Sequence, residues 1–145
     1  MGRLDVQTAE RELVGQWHEL LARHATVVAA LDRALQKEHG LSVNEFEALE
    51  RLADTEKCRC QDVTEAVHLS QRASSRVIAR LEREGLVNRS MCDMDRRGIY
   101  VCLTDAGRER HAAARPTHRA VLAATLSDGA LPSRRGTGPA MRAAP

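Results

Sequence analysis

Aromatic side chains are almost missing from this 145-residue sequence, which has only Trp17, Phe46 and Tyr100. Binding of single-stranded nucleic acid by base stacking needs several aromatic platforms, so their scarcity argues against it. No apolar run is long enough to span a bilayer. The opening MGRLDVQTAERE is too polar for a secretory signal, so the chain is expected in the cytoplasm without membrane contact. C-x-x-C, H-E-x-x-H and the paired histidine spacing of a zinc site are lacking, and the scattered His18, His24, His39 and His111 require no metal. No metal and no cofactor are expected. A nucleophile elbow, a phosphate-binding glycine loop and a positioned carboxylate pair are missing too, which argues against an enzyme. The net charge of +2 is too small to suggest nucleic acid by itself.

The charge that is present is unevenly placed. Between positions 70 and 97 stand Arg72, Arg76, Arg80, Arg83, Arg89, Arg96 and Arg97 against Glu82, Glu84, Asp93 and Asp95, whereas the 8–50 region carries more acids than bases. Local charge, not the total, sets the electrostatic footprint a partner meets. The basic part lies within residues 61–104, QDVTEAVHLSQRASSRVIARLEREGLVNRSMCDMDRRGIYVCLT. Val63, Ala66 and Val67 recur at helical spacing, so one face of a first short helix packs inward. His68-Leu69 makes a turn, and Ser70 is a good N-cap for the next helix. There Ala73, Val77 and Leu81 form a buried stripe with Ser74 and Ile78 at its edge. Gln71, Arg72, Ser75, Arg76, Ala79 and Arg80 occupy the other side. Gly85 suits the left-handed position that ends a helix. Val87, Arg89 and Met91, then Ile99, Val101 and Leu103, alternate with their neighbours at the period of half-buried strands, and the polar stretch between them closes a hairpin. Helix, turn, capped basic helix and hairpin are the order of a winged helix-turn-helix, a reader of duplex DNA.

The residue types suit that task. Arginine reads guanine bidentately, glutamine pairs with adenine, and serine serves a base or a phosphate. The N-terminal end of a recognition helix usually reaches the bases, which favours Gln71, Arg72 and Ser75. Arg76 and Arg80, further along, are expected on phosphate, and Ser70 and Ser74 complete the DNA-contacting set. A basic helix face alone is more often a solvated surface; specificity lies in the spaced combination. That combination, with the turn Asp95-Arg96-Arg97-Gly98 followed by Ile99-Tyr100-Val101-Cys102-Leu103-Thr104, resembles the MarR family of bacterial transcriptional regulators. The resemblance implies a wing-tip arginine in the minor groove, here Arg97 first and Arg96 second, with Asp95 holding it. A narrow minor groove concentrates negative potential and attracts arginine.

The flanks complete a fold expected to be mainly α with a small antiparallel β-wing: a winged helix-turn-helix DNA-binding lobe plus a helical dimerisation region. Leu13, Trp17, Leu20, Leu21, Val27, Val28, Leu31 and Leu35 mark one long amphipathic helix over 8–39, too long for a single lobe to cover. Gly40 stops it, and Ser42-Val43-Asn44-Glu45 makes a capping box for a shorter helix bearing Phe46, Leu49 and Leu52. Cys58-Arg59-Cys60 reads as a short strand joining the wing. Thr104 caps a further helix that Pro116 interrupts or kinks before it resumes over 117–126. One domain is expected over residues 1–126, with a lobe at about 42–104 and dimerisation helices at 8–39 and 104–126. The Gly-, Pro- and Ala-rich 127–145 segment reads as a disordered tail.

The family resemblance further implies a homodimer on a pseudo-palindromic operator and a repressor released by a small, often aromatic or phenolic, effector. The crevice between lobe and dimer region would be lined by Trp17, His18, His24, Phe46 and His111, although Trp17 reads more readily as core. A rival trigger is thiol oxidation at Cys58, Cys60, Cys92 or Cys102; a cytosolic chain keeps such thiols reduced, and the peroxide-responsive branch carries its cysteine in the first helix, where this sequence has none. A third reading is a dimerising interaction module that has lost DNA binding.

Overall fold

The computed structural model describes residues 2–55, 58–91 and 99–127. Cys92, Asp95, Arg96, Arg97 and the segment from 128 onward, all of which carry expectations above, lie outside that set.

The chain opens with α1 (Gly2–His39), six residues longer at its start than the apolar repeat suggested. At 1.5 Å per residue it extends roughly 57 Å. Gly40, at φ 66°, ends it, and the amide of Leu41 donates back to the Leu35 carbonyl at 3.3 Å. That backward bond, closed through a left-handed glycine, satisfies carbonyls that the helix end leaves open. The capping box then forms as read: Glu45 N–H donates to Ser42 Oγ at 3.0 Å, and Ser42 N–H to Glu45 Oε1 at 2.8 Å. This starts α2 (Val43–Ala53), whose first amide also donates to Asp32 of α1 at 2.9 Å.

Next come β1 (Cys58–Arg59), α3 (Cys60–Ala66), α4 (Gln71–Arg83), β2 (Val87–Met91), β3 (Ile99–Leu103) and α5 (Asp105–Leu126). The strands form one antiparallel sheet in the order β1-β3-β2, with Cys58 opposite Val101, Val87 opposite Leu103 and Asn88 opposite Cys102. Cys60 does not extend the strand as expected but begins α3. In α3, Val63 is buried and Ala66 exposed, and the C-cap Val67 is half-buried, a narrower inward face than the spacing implied.

The core joins Leu31, Leu35 and Leu41 to Phe46, Leu49 and Leu52 of α2, Val63 of α3, Ile78 and Leu81 of α4, and Val87, Val101 and Leu103 of the sheet. Burial of each large apolar side chain contributes on the order of 1.5–3 kcal/mol. In α4 the buried positions are Ser74, Ile78 and Leu81, while Ala73 and Val77 are half-buried. The helix is thus rotated from the expected setting, because α3 packs on its Ser74 side, where Thr64 Oγ1 donates to Ser74 Oγ at 2.7 Å.

The expected interruption at Pro116 does not occur, and α5 runs through it as one helix. A proline inside a helix costs about 3 kcal/mol. Packing on both sides offsets that: Gly107, Ala114 and His118 are buried, and a 2.8 Å bond joins His39 Nε2 of α1 to Thr117 Oγ1. Gly107 also permits the approach of α5 to the turn after α4, since a Cβ there would lie 2.1 Å from the Leu86 carbonyl oxygen.

Candidate nucleic-acid interface

Two helices and a turn present one exposed face. His68, at φ 56°, turns the chain between α3 and α4, and Ser70 Oγ accepts from the Ala73 amide at 3.1 Å. The cap fixes where α4 begins and therefore which side chains lie in its first turns. Gln71, Arg72, Ser75 and Arg76 are all exposed there, and among the described residues none of their side chains has a hydrogen-bond or ion-pair partner. Unpaired donors on one helix face are free to meet base edges and phosphates.

Two of the sequence-derived candidates sit differently. Ser74 is 1% exposed and bonded to Thr64, so its hydroxyl faces the protein interior. Arg80 is half-exposed, but its Nε lies 2.8 Å from Glu45 Oε2 and 3.2 Å from Glu84 Oε2. On the wing, Arg89 pairs with Glu82 at 3.0 Å, tying β2 to the end of α4. Arg59, beside β3, lies over the Tyr100 ring at 5.7 Å and donates to its hydroxyl at 3.4 Å.

Comparison with known proteins bears directly on this arrangement. The MarR family model matches residues 41–99. AbsC of Streptomyces coelicolor, a MarR family transcriptional regulator, is 32% identical with a TM-score of 0.71, over 77% of this chain and 76% of its own. This chain belongs to the MarR family. Sco3205 of the same organism, a MarR regulator solved in complex with DNA, is 29% identical with a TM-score of 0.74, over 83% of this chain and 75% of its own. The uncharacterized HTH-type regulator YkoM of Bacillus subtilis is 30% identical over 127 residues, covering 88% of this chain and 82% of the relative. The chain is accordingly a DNA-binding transcriptional regulator of winged helix-turn-helix architecture, and MarR regulators are not enzymes.

Within this MarR protein, the expected effector residues divide into two groups. Phe46 is buried in the core, with the His111 ring stacked at 5.4 Å and the His118 ring at 4.3 Å between centroids. Trp17, His18 and His24 are exposed along α1, and Trp17 at 56% is not part of the core. The residues that do join Phe46 and His111 are Glu47, Glu50, His118 and Arg119, which the sequence reading missed. His118 Nε2 lies 3.0 Å from Glu47 Oε2, and Arg119 donates to His118 Nδ1 at 2.8 Å, which sets the ring proton on Nε2. Glu50 takes His111 on one oxygen and Arg119 on the other, each at 2.8 Å. Burial alone would raise the Glu50 carboxyl, but the hydrogen bonds and charges of Arg119 and His111 outweigh it and hold it below the usual carboxylate range. A signal for this cluster existed: His111 and His118 are seven apart on one helix, Glu47 and Glu50 three apart on another, each spacing keeping a single face.

Cys60 and Cys102 are half-buried, and the cross-strand partner of Cys102 is Asn88. Among the described residues no group of three or more His, Cys, Asp or Glu could hold a metal ion, and no helix is long and apolar enough to cross a membrane.

Proposed function

We propose that this MarR regulator is a cytoplasmic homodimeric repressor that reads a pseudo-palindromic operator and is released by a small aromatic or phenolic effector. The observation that carries the reading is the capped, partner-free face of Gln71, Arg72, Ser75 and Arg76 on α4. Gln71, Arg72 and Ser75 read bases, Arg76 holds phosphate, and Ser70 acts through its cap. On the wing, Arg97, with Arg96 second and Asp95 in support, enters the minor groove. Residues 42–104 form the DNA-binding lobe, while 8–39 and 104–126 pair with a second copy. Support for pairing comes from Leu13, Val14, Trp17, Leu20 and Leu21, large apolar side chains exposed along α1. Monomeric surfaces rarely expose so continuous an apolar stripe. Two-fold pairing sets recognition helices about 34 Å apart, which matches half-sites one helical turn apart. As effector contacts we propose Phe46 and His111, with Trp17, His18 and His24, at the crevice between the lobe and the dimer region.

Fluorescence anisotropy on the intergenic duplex beside its own gene, with scrambled competitor at two salt concentrations, tests the core of this. Arg72→Ala should cost about 1–3 kcal/mol and relax preference at one base pair, and Arg97→Ala should collapse competitor-resistant binding. Binding that is weak, salt-labile and indifferent to both changes would leave only a dimerising module.

A further inference from the structure

We propose that Arg80 is a positioning residue for DNA recognition, not a phosphate contact: with Glu45 it forms a brace that fixes the rotation of α4 against α2. The proposal rests on α4 being the recognition helix.

Glu45 is 5% exposed and performs two tasks at once. One carboxylate oxygen closes the capping box on the Ser42 amide, and the other lies 2.8 Å from Arg80 Nε. A buried carboxylate without a cation is costly, because removing one partner of such a pair leaves a charge uncompensated. Arg80 is thus held where it is by what its departure would leave behind. It follows Arg76 by one helical turn, so sequence spacing alone puts it on the DNA side; the pairing is what withdraws it.

The brace continues on both sides. Glu84, the C-cap of α4, takes Arg80 at 3.2 Å and lies 3.9 Å from Arg110 of α5. Arg110 in turn donates to the carbonyl of His39, the last residue of α1, at 3.1 Å. Arg80 thus ties the capped start of α2 to α4, and its second partner Glu84 links the end of α4 to α5 and, through Arg110, to the end of α1. Gln71, Arg72 and Ser75 are presented by α4, so a small rotation about its axis would misalign all of them together. A specific duplex would register that change and a scrambled one would not, because phosphate attraction tolerates it.

The test uses the full chain and the best duplex that the unsubstituted protein selects from a randomised pool, against a scrambled duplex, across a salt series. Arg80→Gln and Glu45→Gln should each lower the specific-to-scrambled affinity ratio about tenfold, the size of one lost base-pair preference. The slope of log affinity against log salt should stay unchanged, the double variant should be no worse than either single one, and Arg80→Lys should recover most of the ratio. Glutamine at 45 still suits the capping box, and thermal melts confirm folding. A uniform loss on both duplexes with the salt slope reduced by about one would make Arg80 a phosphate contact and overturn the brace. So would full additivity of the two substitutions, or the absence of stability coupling between 45 and 80 in the melts. If the unsubstituted protein fails to distinguish the two duplexes, the recognition-helix reading itself falls, and the coupling measured in the melts still decides whether the brace exists.

Discussion

At the scale of single residues, Gly107 and Glu50 carry the sharpest consequences. The space for a side chain at Gly107 is already filled by a backbone carbonyl, that of Leu86, which also accepts from Thr104 N–H. A carbonyl in that position cannot swing away as a flexible side chain could. Gly107→Ala should therefore lower stability by about 3 kcal/mol, the upper end of overpacking costs, seen as a lower melting temperature. Glu50 makes a different prediction, in pH. Its carboxyl is held below the usual range by Arg119 and His111 against the opposing effect of burial. A depressed carboxylate contributes stability that is fully present above its unfolded value of about 4.3 and is lost as pH falls through the lower folded value. Glu50→Gln should be less stable than the parent at neutral pH, and the difference should shrink as pH drops below about 4. Denaturant midpoints measured from pH 7 down to 3 check the sign.

At the scale of elements, α5 keeps a helix through Pro116 only because its neighbours hold both halves. Buried Ala114 and His118 straddle the proline, and the Thr117 hydroxyl is tied to His39. Pro116→Ala restores the missing N–H donor and should stabilise the fold by about 1–3 kcal/mol, read as a raised melting temperature. An unchanged or lower value would mean that the ring itself is packed productively. In α4 the cap at Ser70 and the left-handed Gly85, at φ 75°, set both ends of the recognition helix from local chemistry alone.

For the whole molecule, the question is what covers the first half of α1. Leu31 and Leu35 enter the core, whereas Leu13, Trp17, Leu20 and Leu21 remain exposed. Leu20→Glu places a charge on that stripe without touching the protomer's own core. It should convert the proposed dimer to a monomer in sedimentation velocity, and operator affinity should fall to that of one half-site. A dimer that survives this change would move the interface elsewhere.

Much of this protein was legible in its sequence, for a definable reason. Helix caps, glycine stops and strand alternation are short-range matters, decided by residues within a few positions of each other; Ser42, Ser70, Gly85 and Thr104 act as read. The exposed run Gln71, Arg72, Ser75 and Arg76 followed from the same periodicity. What the sequence left undecided depends on partners far along the chain. Thr64 turns Ser74 inward, Glu45 withdraws Arg80, and α1 carries α5 across Pro116. The His111–Glu50 and His118–Glu47 pairs join residues 61 and 71 positions apart. Local backbone chemistry determines where each element starts and stops, but which face it buries and which charge it spends internally are set by long-range packing and pairing, and only the tertiary structure decides those.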